Sequence, residues 1–243
     1  MTHKTKGIVL KSIKYGETSL VVTIFTELFG VQTYMVNGVR TTKPSASKAN
    51  HFQPAAILEL VVYHNEHKSM QRIKEFRFAF LYQFILTNVV KNSVASFMVE
   101  LLYKSLKQPE GNTDLFNFCE DVFRQLDEAD NTVTANFPLF FSLHLTHFFG
   151  FRMNDDYSDE NCFLDLKEGC FIDTQPTHPD FITGEQSRVL SQLLKVMQPE
   201  ELKEFKLNHE TRRSLLFRIQ DYYGLHIADF GQMKTLRVLA EVL

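Results

Sequence analysis

The hydrophobic period of this chain changes once, near residue 79, and that change limits its fold more than any other feature. Before it, Val, Ile, Thr, Phe and Tyr gather in five short runs, 6–15, 18–26, 31–39, 57–64 and 70–78. They are separated by the turn-like groups Tyr15-Gly16-Glu17, Leu28-Phe29-Gly30 and His64-Asn65-Glu66. Leu20, Val22 and Ile24 alternate onto one face of their run, and Val31, Thr33 and Met35 onto a face of theirs. Five strands in so short a segment, with one long connection, predict a small closed barrel such as an OB-fold. An SH3-like barrel has the same strand count, and periodicity does not separate the two.

After the change, apolar residues recur at three and four. The spacing predicts a helix over 79–106, carrying Leu81, Phe84, Ile85, Val89, Val94, Phe97, Met98, Leu101 and Leu102. Asn112-Thr113-Asp114 can cap a second, with Leu115, Phe116, Cys119, Val122, Phe123 and Leu126 on its inner side. The run 137–149 is apolar nearly all round and reads as a buried helix. An irregular acidic segment, 154–180, follows, with a hairpin expected at Lys167-Glu168-Gly169. Helices resume over 185–197, 200–205, 209–223 and 232–242. The expected fold class is α+β: a small β-barrel domain over 1–78, of OB or SH3-like type, then an α-helical bundle domain over 79–243 with a small irregular insertion.

Charge follows the same division. Residues 1–80 hold 11 Lys/Arg against 5 Asp/Glu, a net of +6, whereas the whole chain is at −3. A basic first third on an acidic chain suggests a domain that faces a polyanion. From Leu28 to Leu58 there is no acidic residue, while Arg40, Lys43 and Lys48 all fall in the long loop after the third strand. Lys11 and Lys14 on the first strand and Arg72 and Lys74 on the fifth complete the nucleic-acid-binding set expected from charge and position, with Phe76 following Arg72 and Lys74 at the same parity. Tyr15, Tyr34, Phe52 and Tyr63 are the aromatics near enough to stack on bases.

Other chemistry is poorly represented. No Gly-x-Ser-x-Gly, Gly-x-x-x-x-Gly-Lys or Gly-x-Gly-x-x-Gly motif occurs, so no catalytic residue is expected. Cys162, Cys170 and His178 are spaced by eight, without the close pairs of structural zinc, so neither metal nor other cofactor is expected. His144 and His147 share a helical face with phenylalanines and read as core or rim. Three unpaired cysteines suit a reducing compartment. The longest stretch without Asp, Glu, Lys or Arg, 131–151, contains Asn131, Asn136, Pro138, His144 and His147 and does not suit a membrane. A cytoplasmic protein with no membrane partner is the expectation.

Several of these runs together resemble the bacterial recombination mediator family RecO. They are Gly7-Ile8-Val9-Leu10-Lys11, the stretch from Tyr15-Gly16-Glu17-Thr18 to Phe25-Thr26, Gly30, and Asn37-Gly38-Val39-Arg40. Phe137-Pro138 through Leu143, Phe148-Phe149-Gly150-Phe151, and Lys234-Thr235-Leu236-Arg237-Val238-Leu239 are similar to later parts of the family, in the same order. The resemblance implies an N-terminal OB-fold, a helical domain, and a nucleoid-associated role in recombinational DNA repair. It implies binding of single- and double-stranded DNA, annealing of complementary strands, and action with RecR and the single-stranded DNA-binding protein to load RecA. Only Arg40 is carried over by motif. Many members hold zinc through two Cys-x-x-Cys pairs, and here Cys162 and Cys170 remain, with Asp165 where a pair would be completed. The single-stranded DNA-binding protein ends in an acidic tail with an apolar last residue. The densest cationic group outside the barrel, Arg212, Arg213 and Arg218 beside Leu216 and Phe217, is the expected partner-binding site. The alternatives are an OB-type RNA-binding module and a non-enzymatic protein-interaction adaptor.

Overall fold

The computed structural model describes residues 2–40, 48–107 and 110–243. The chain divides into two compact units, one of residues 1–83 with 106–124, the other of 84–105 with 125–243. The segment 106–124, placed with the helical domain from sequence, therefore packs with the barrel.

The first unit is built on β1 (Thr2–Tyr15), β2 (Ser19–Thr26), β3 (Gly30–Val36), β4 (Ile57–Tyr63) and β5 (Gln71–Phe78). They close into a barrel in the order β1-β2-β3-β5-β4, with β4 returning to β1. All pairs are antiparallel except β3 and β5, joined in parallel through Tyr34↔Gln71 and Met35↔Arg72. That order is the OB arrangement, so the choice left open above is settled, and closure leaves no sheet edge for aggregation. β1 starts four residues earlier than expected because it serves two partners. Residues 2–8 pair with β4, residues 7–15 pair with β2, and a register shift between Val9 and Lys11 lets the strand bend between them. At the crossover, Gly7 leaves room that a Cβ would fill, 2.5 Å from Ile24 Cγ2.

The barrel core takes Leu20, Val22 and Ile24, the residues that alternate onto one face of their strand, together with Val9, Leu58, Leu60 and Val62. It also takes Tyr34 and Phe52, which are fully buried. The two were expected among the base-stacking candidates and are instead core residues. Tyr34 has inward parity on β3, and its buried hydroxyl has no hydrogen-bond partner among the described residues. Burial pushes that phenol far above its ordinary pKa. α2 (Thr113–Glu128) lies near β1 at its middle, where Glu120, almost fully buried, accepts from Lys6 Nζ at 2.8 Å and is also paired with Arg124.

The second unit centres on α3 (Asn131–Phe149), against which α1 (Val89–Ser105), α4 (Gly184–Leu194), α5 (His209–His226) and a 3-10 turn (Pro199–Glu204) pack, with α6 (Lys234–Val242) against α1. α3 begins six residues before the expected start. The Asp130 carboxylate caps it by accepting from the Val133 N–H at 2.9 Å, and Pro138 is absorbed into the helix. Gly150 ends it at φ 77°, a left-handed geometry suited to glycine. The His144 ring contacts the Val196 carbonyl at 2.8 Å; desolvation first, then Arg152, lowers its pKa. The irregular insertion is a three-stranded sheet in the order β7-β6-β8: β6 (Phe163–Asp165) and β7 (Cys170–Ile172) form the expected hairpin, and β8 (Phe181–Ile182) pairs with β6.

The largest departure is at 79–88, read as helix and found as extended chain and turns before α1. The buried Asp127 carboxylate takes the Phe84 and Ile85 N–H groups at 2.9 and 2.8 Å, and Asn88 caps α1 by accepting from the Lys91 N–H. A long-range carboxylate has replaced the i to i+4 partners that a continuous helix would need. Leu81, Phe84 and Val89, placed on an inner stripe by spacing, are therefore exposed.

Candidate nucleic-acid interface

In a barrel the facing of each side chain follows from its cross-strand partner. Lys11 lies opposite Thr23 on the outer surface and is exposed. Lys14 lies opposite Leu20, a core residue, so it has inward parity and becomes exposed only at the barrel mouth. The two lysines do not share a face. Arg40 is fastened to the β1–β2 turn, since its backbone N–H donates to the Thr18 carbonyl and its Nη1 to the Gly16 carbonyl, each at 3.0 Å. Lys48 opens a short 3-10 helix (Lys48–Phe52) and is exposed. Lys43, with the rest of 41–47, lies outside the described residues.

On β5 the parity reading fails for a physical reason. Ile73 pairs with Val62 and Glu75 with Val61, so Lys74 is the extra residue of a β-bulge. Arg72 and Lys74 are both exposed, but Phe76 returns inward, its ring 4.8 Å from that of Phe52. Lys74 stands 3.3 Å from Glu75, which reduces its value to a phosphate.

Arg72 meets more than the sequence suggested. It pairs with Met35 of β3 and with Tyr63 of β4, all three pointing outward. Together with His64, Asn65, Lys68, Met70 and Gln71 they line an open groove of about 520 Å³ at the β4–β5 turn. Tyr63 and Met70 are 47% and 41% exposed, so aromatic and thioether surface is offered to a ligand. Two cations, Arg72 and Lys68, flank it, no carboxylate lines it, and among the described residues neither cation is in an ion pair.

The groove is held in shape by its own wall. Gln71 is buried, its Nε2 donating to the Asn65 and Lys68 carbonyls at 2.8 and 2.7 Å and its Oε1 accepting from the Asn65 N–H at 3.0 Å. One side chain thus closes the turn at both ends. His64 stacks on Phe29 at 3.9 Å between ring centroids, pinning the start of the turn. Met35, Lys68, Met70 and Gln71 were missed by sequence reasoning. The available signal was Gln71 at an inward position directly after a polar turn.

A second cleft on the barrel, about 570 Å³, is the wrong shape electrostatically. It is lined by Lys4, Lys6 and Arg77 but equally by Glu27, Glu59 and Glu75, and Arg77 is paired with Glu59. A polyanion gains nothing there.

The α5 arginines separate into different tasks. Arg212 is 8% exposed, its guanidinium donating to Asn136 Oδ1, the Leu243 carbonyl and the Leu207 carbonyl. It is a fold residue and not part of a rim. Arg218 donates to Asp221 and to the Pro179 and Phe181 carbonyls. Leu216 is buried, whereas Arg213 is exposed and lies 5.8 Å above the half-buried Phe217 ring.

In the insertion, Asp165 Oδ1 accepts from the Lys167 and Glu168 N–H groups and Oδ2 lies 3.2 Å from His178 Nε2. Among the described residues no three His, Cys, Asp or Glu side chains gather as a metal site. The Asp165 carboxylate is thus spent on its own turn and on His178. Among the described residues, no helix is long and apolar enough to cross a membrane.

Comparison with known proteins covers both units. The family model "Recombination protein O N terminal" matches residues 1–82, and "Recombination protein O C terminal" matches residues 86–236. The DNA repair protein RecO of Phocaeicola vulgatus is 33% identical over 242 residues, covering 100% of this chain and 99% of that protein. That of Flavobacterium psychrophilum is 34% identical over 248 residues with the same coverage, and that of Azobacteroides pseudotrichonymphae 30% over 242. With both family models matched across an OB barrel and a helical unit, the chain belongs to the DNA repair protein RecO family.

Proposed function

We propose that this protein is a non-enzymatic recombination mediator of the cytoplasm. It binds single- and double-stranded DNA through the barrel, anneals complementary strands, and acts with RecR to load RecA onto DNA covered by the single-stranded DNA-binding protein. The observation that carries the reading is the acid-free groove at Tyr63, Lys68 and Arg72 on a barrel of net positive charge. Annealing requires no covalent chemistry. It requires two strands held close with their phosphate repulsion neutralised and their base edges left open, and cations that reach backbone rather than bases do this without sequence preference. Lys11, Arg40, Lys48 and Arg72 supply outward charge, Lys43 belongs to the same proposed set, and Lys14 and Lys74 contribute from the barrel mouth and the bulge. The family membership supports the same role.

In the helical unit, the acidic tail of the single-stranded DNA-binding protein is assigned to Arg213 stacked on Phe217, with Arg218 beside it and Arg212 supporting the helix from within. The deciding experiment titrates the protein with single-stranded DNA, duplex and RNA of one sequence at two salt concentrations, with an annealing assay and a RecR pull-down. DNA binding that weakens with salt, annealing, and RecR capture are expected. Tight binding to RNA alone moves the protein to the RNA-binding alternative, and RecR capture without any DNA binding makes it an adaptor.

A further inference from the structure

The geometry points to a division of labour within the barrel groove. Tyr63, backed by Met35 and Met70, takes an unpaired base by its face, while Arg72 and Lys68 hold the adjoining phosphates, so the groove selects single-stranded over duplex DNA. The inference rests on the reading of the barrel as a DNA interface and adds to it the strand state that this site accepts.

The groove's exposed apolar surface is a phenol ring and two thioethers, of which Tyr63 and Met70 are 47% and 41% exposed. Those groups have flat or polarizable apolar surface and little that reads a base edge. Base faces are reached only when a strand is unpaired and unstacked, because in a duplex they are covered above and below. Stacking is worth about 1–3 kcal/mol per base and tolerates any sequence.

The cations are placed to complement it. Arg72 is the cross-strand neighbour of both Met35 and Tyr63, so a base lying on the ring brings its phosphate within reach of the guanidinium. Lys68 closes the opposite wall from the turn. A volume of about 520 Å³ admits a nucleotide, and it lies within the range of ordinary small-ligand clefts. The Gln71 clamp keeps the turn formed before DNA arrives, so little ordering is left for binding. Holding bases by their faces also leaves their pairing edges outward, the presentation an annealing protein needs.

The test uses the full-length protein, a thymidine 20-mer and a 20-base-pair duplex, with affinity read by fluorescence anisotropy at two salt concentrations. Tyr63→Ala is expected to weaken the single strand roughly 5- to 100-fold, the equivalent of about 1–3 kcal/mol at about 1.4 kcal/mol per tenfold, with duplex affinity and the salt slope unchanged. Tyr63→Phe retains the ring and is expected to bind as the parent does. Arg72→Ala is expected to weaken both ligands and to lower the single-strand salt slope by about 0.7. Equal losses on single strand and duplex with Tyr63→Ala, or no loss on either, overturn the stacking role while leaving the barrel as a DNA site. If Arg72→Ala and Lys68→Ala also change nothing, or the parent binds neither ligand, the DNA-interface reading falls with it. Because Tyr63 is exposed at the end of β4, the folded state of each variant is checked by its melting temperature.

Discussion

Removing the Asp127 side chain tests what keeps residues 79–88 out of α1. In Asp127→Ala two backbone N–H groups, those of Phe84 and Ile85, lose an ionised acceptor. A hydrogen bond to a charged group contributes about 1.5–3 kcal/mol, and the full amount applies where the donor stays buried. Ile85 is buried, so its bond is counted whole at about 2–3 kcal/mol; Phe84 is half-exposed and its amide can turn to water, which leaves about 1 kcal/mol. Lys91 adds to the cost. Its ammonium is buried, donates to the Asp127 carbonyl at 2.6 Å, and has its pKa lowered by desolvation against the raising effect of the Asp127 and Asp130 carboxylates. The expected loss is at least about 3–4 kcal/mol, the sum of the two hydrogen bonds before the Lys91 contribution. Asp127→Asn keeps an acceptor oxygen and loses only charge assistance, so it should cost about half as much. Urea denaturation followed by far-UV circular dichroism at 222 nm reads mainly the helical unit and orders the three proteins. If the Ala variant lost under 1 kcal/mol, or the Asn variant lost as much as the Ala variant, the carboxylate would not be what stops a helix at 79–88.

Three further outcomes follow from contacts described above. Gln71→Ala should leave the melting temperature within a few degrees but weaken single-strand binding about 3- to 10-fold, since the β4–β5 turn must then be ordered on binding at roughly 1 kcal/mol; anisotropy titration checks it. Glu100 accepts from the Lys234 and Thr235 N–H groups and the Thr235 hydroxyl at the start of α6. Desolvation raises its pKa, but those hydrogen bonds together bring it below the ordinary value of 4.5. Its contribution is therefore complete above about pH 4.5 and disappears as pH falls through the lower folded value, so Glu100→Gln should flatten stability against pH in that acid window, as urea melts at stepped pH will show. Arg212→Ala should destabilise the helical unit by about 3 kcal/mol by leaving three acceptors without their buried cation, whereas Arg213→Glu should leave stability unchanged and abolish binding of an acidic tail peptide; thermal melts and peptide titrations separate the two.

The candidate site was only partly legible beforehand. Arg72 and Tyr63 were chosen from charge and aromaticity, and both line the groove. Tyr34 and Phe52 were chosen by the same rule and are in the core, because residue type does not reveal which side of a strand faces inward until pairing is known. The Arg212–Arg213 pair shows the same limit. Adjacent positions on a helix point about 100° apart, so one arginine is buried among carbonyls and the next is in water.

What the amino-acid order determined by itself was whatever depends on neighbours in the chain. The switch from period two to period 3.6, the five barrel strands, the hairpin at Lys167-Glu168-Gly169 and the excess of charge over residues 1–80 are all local sums, and they survive in the fold. What only the tertiary structure decided required a partner far away in sequence. The parallel β3–β5 pairing chose the OB order, the bulge at Lys74 turned Phe76 inward, Asp127 kept the chain 43 residues before it out of a helix, and Gln71 with Tyr63 and Met35 made a groove. Each is a contact whose energy exists only once distant segments meet, so no local pattern of residues encodes where it falls.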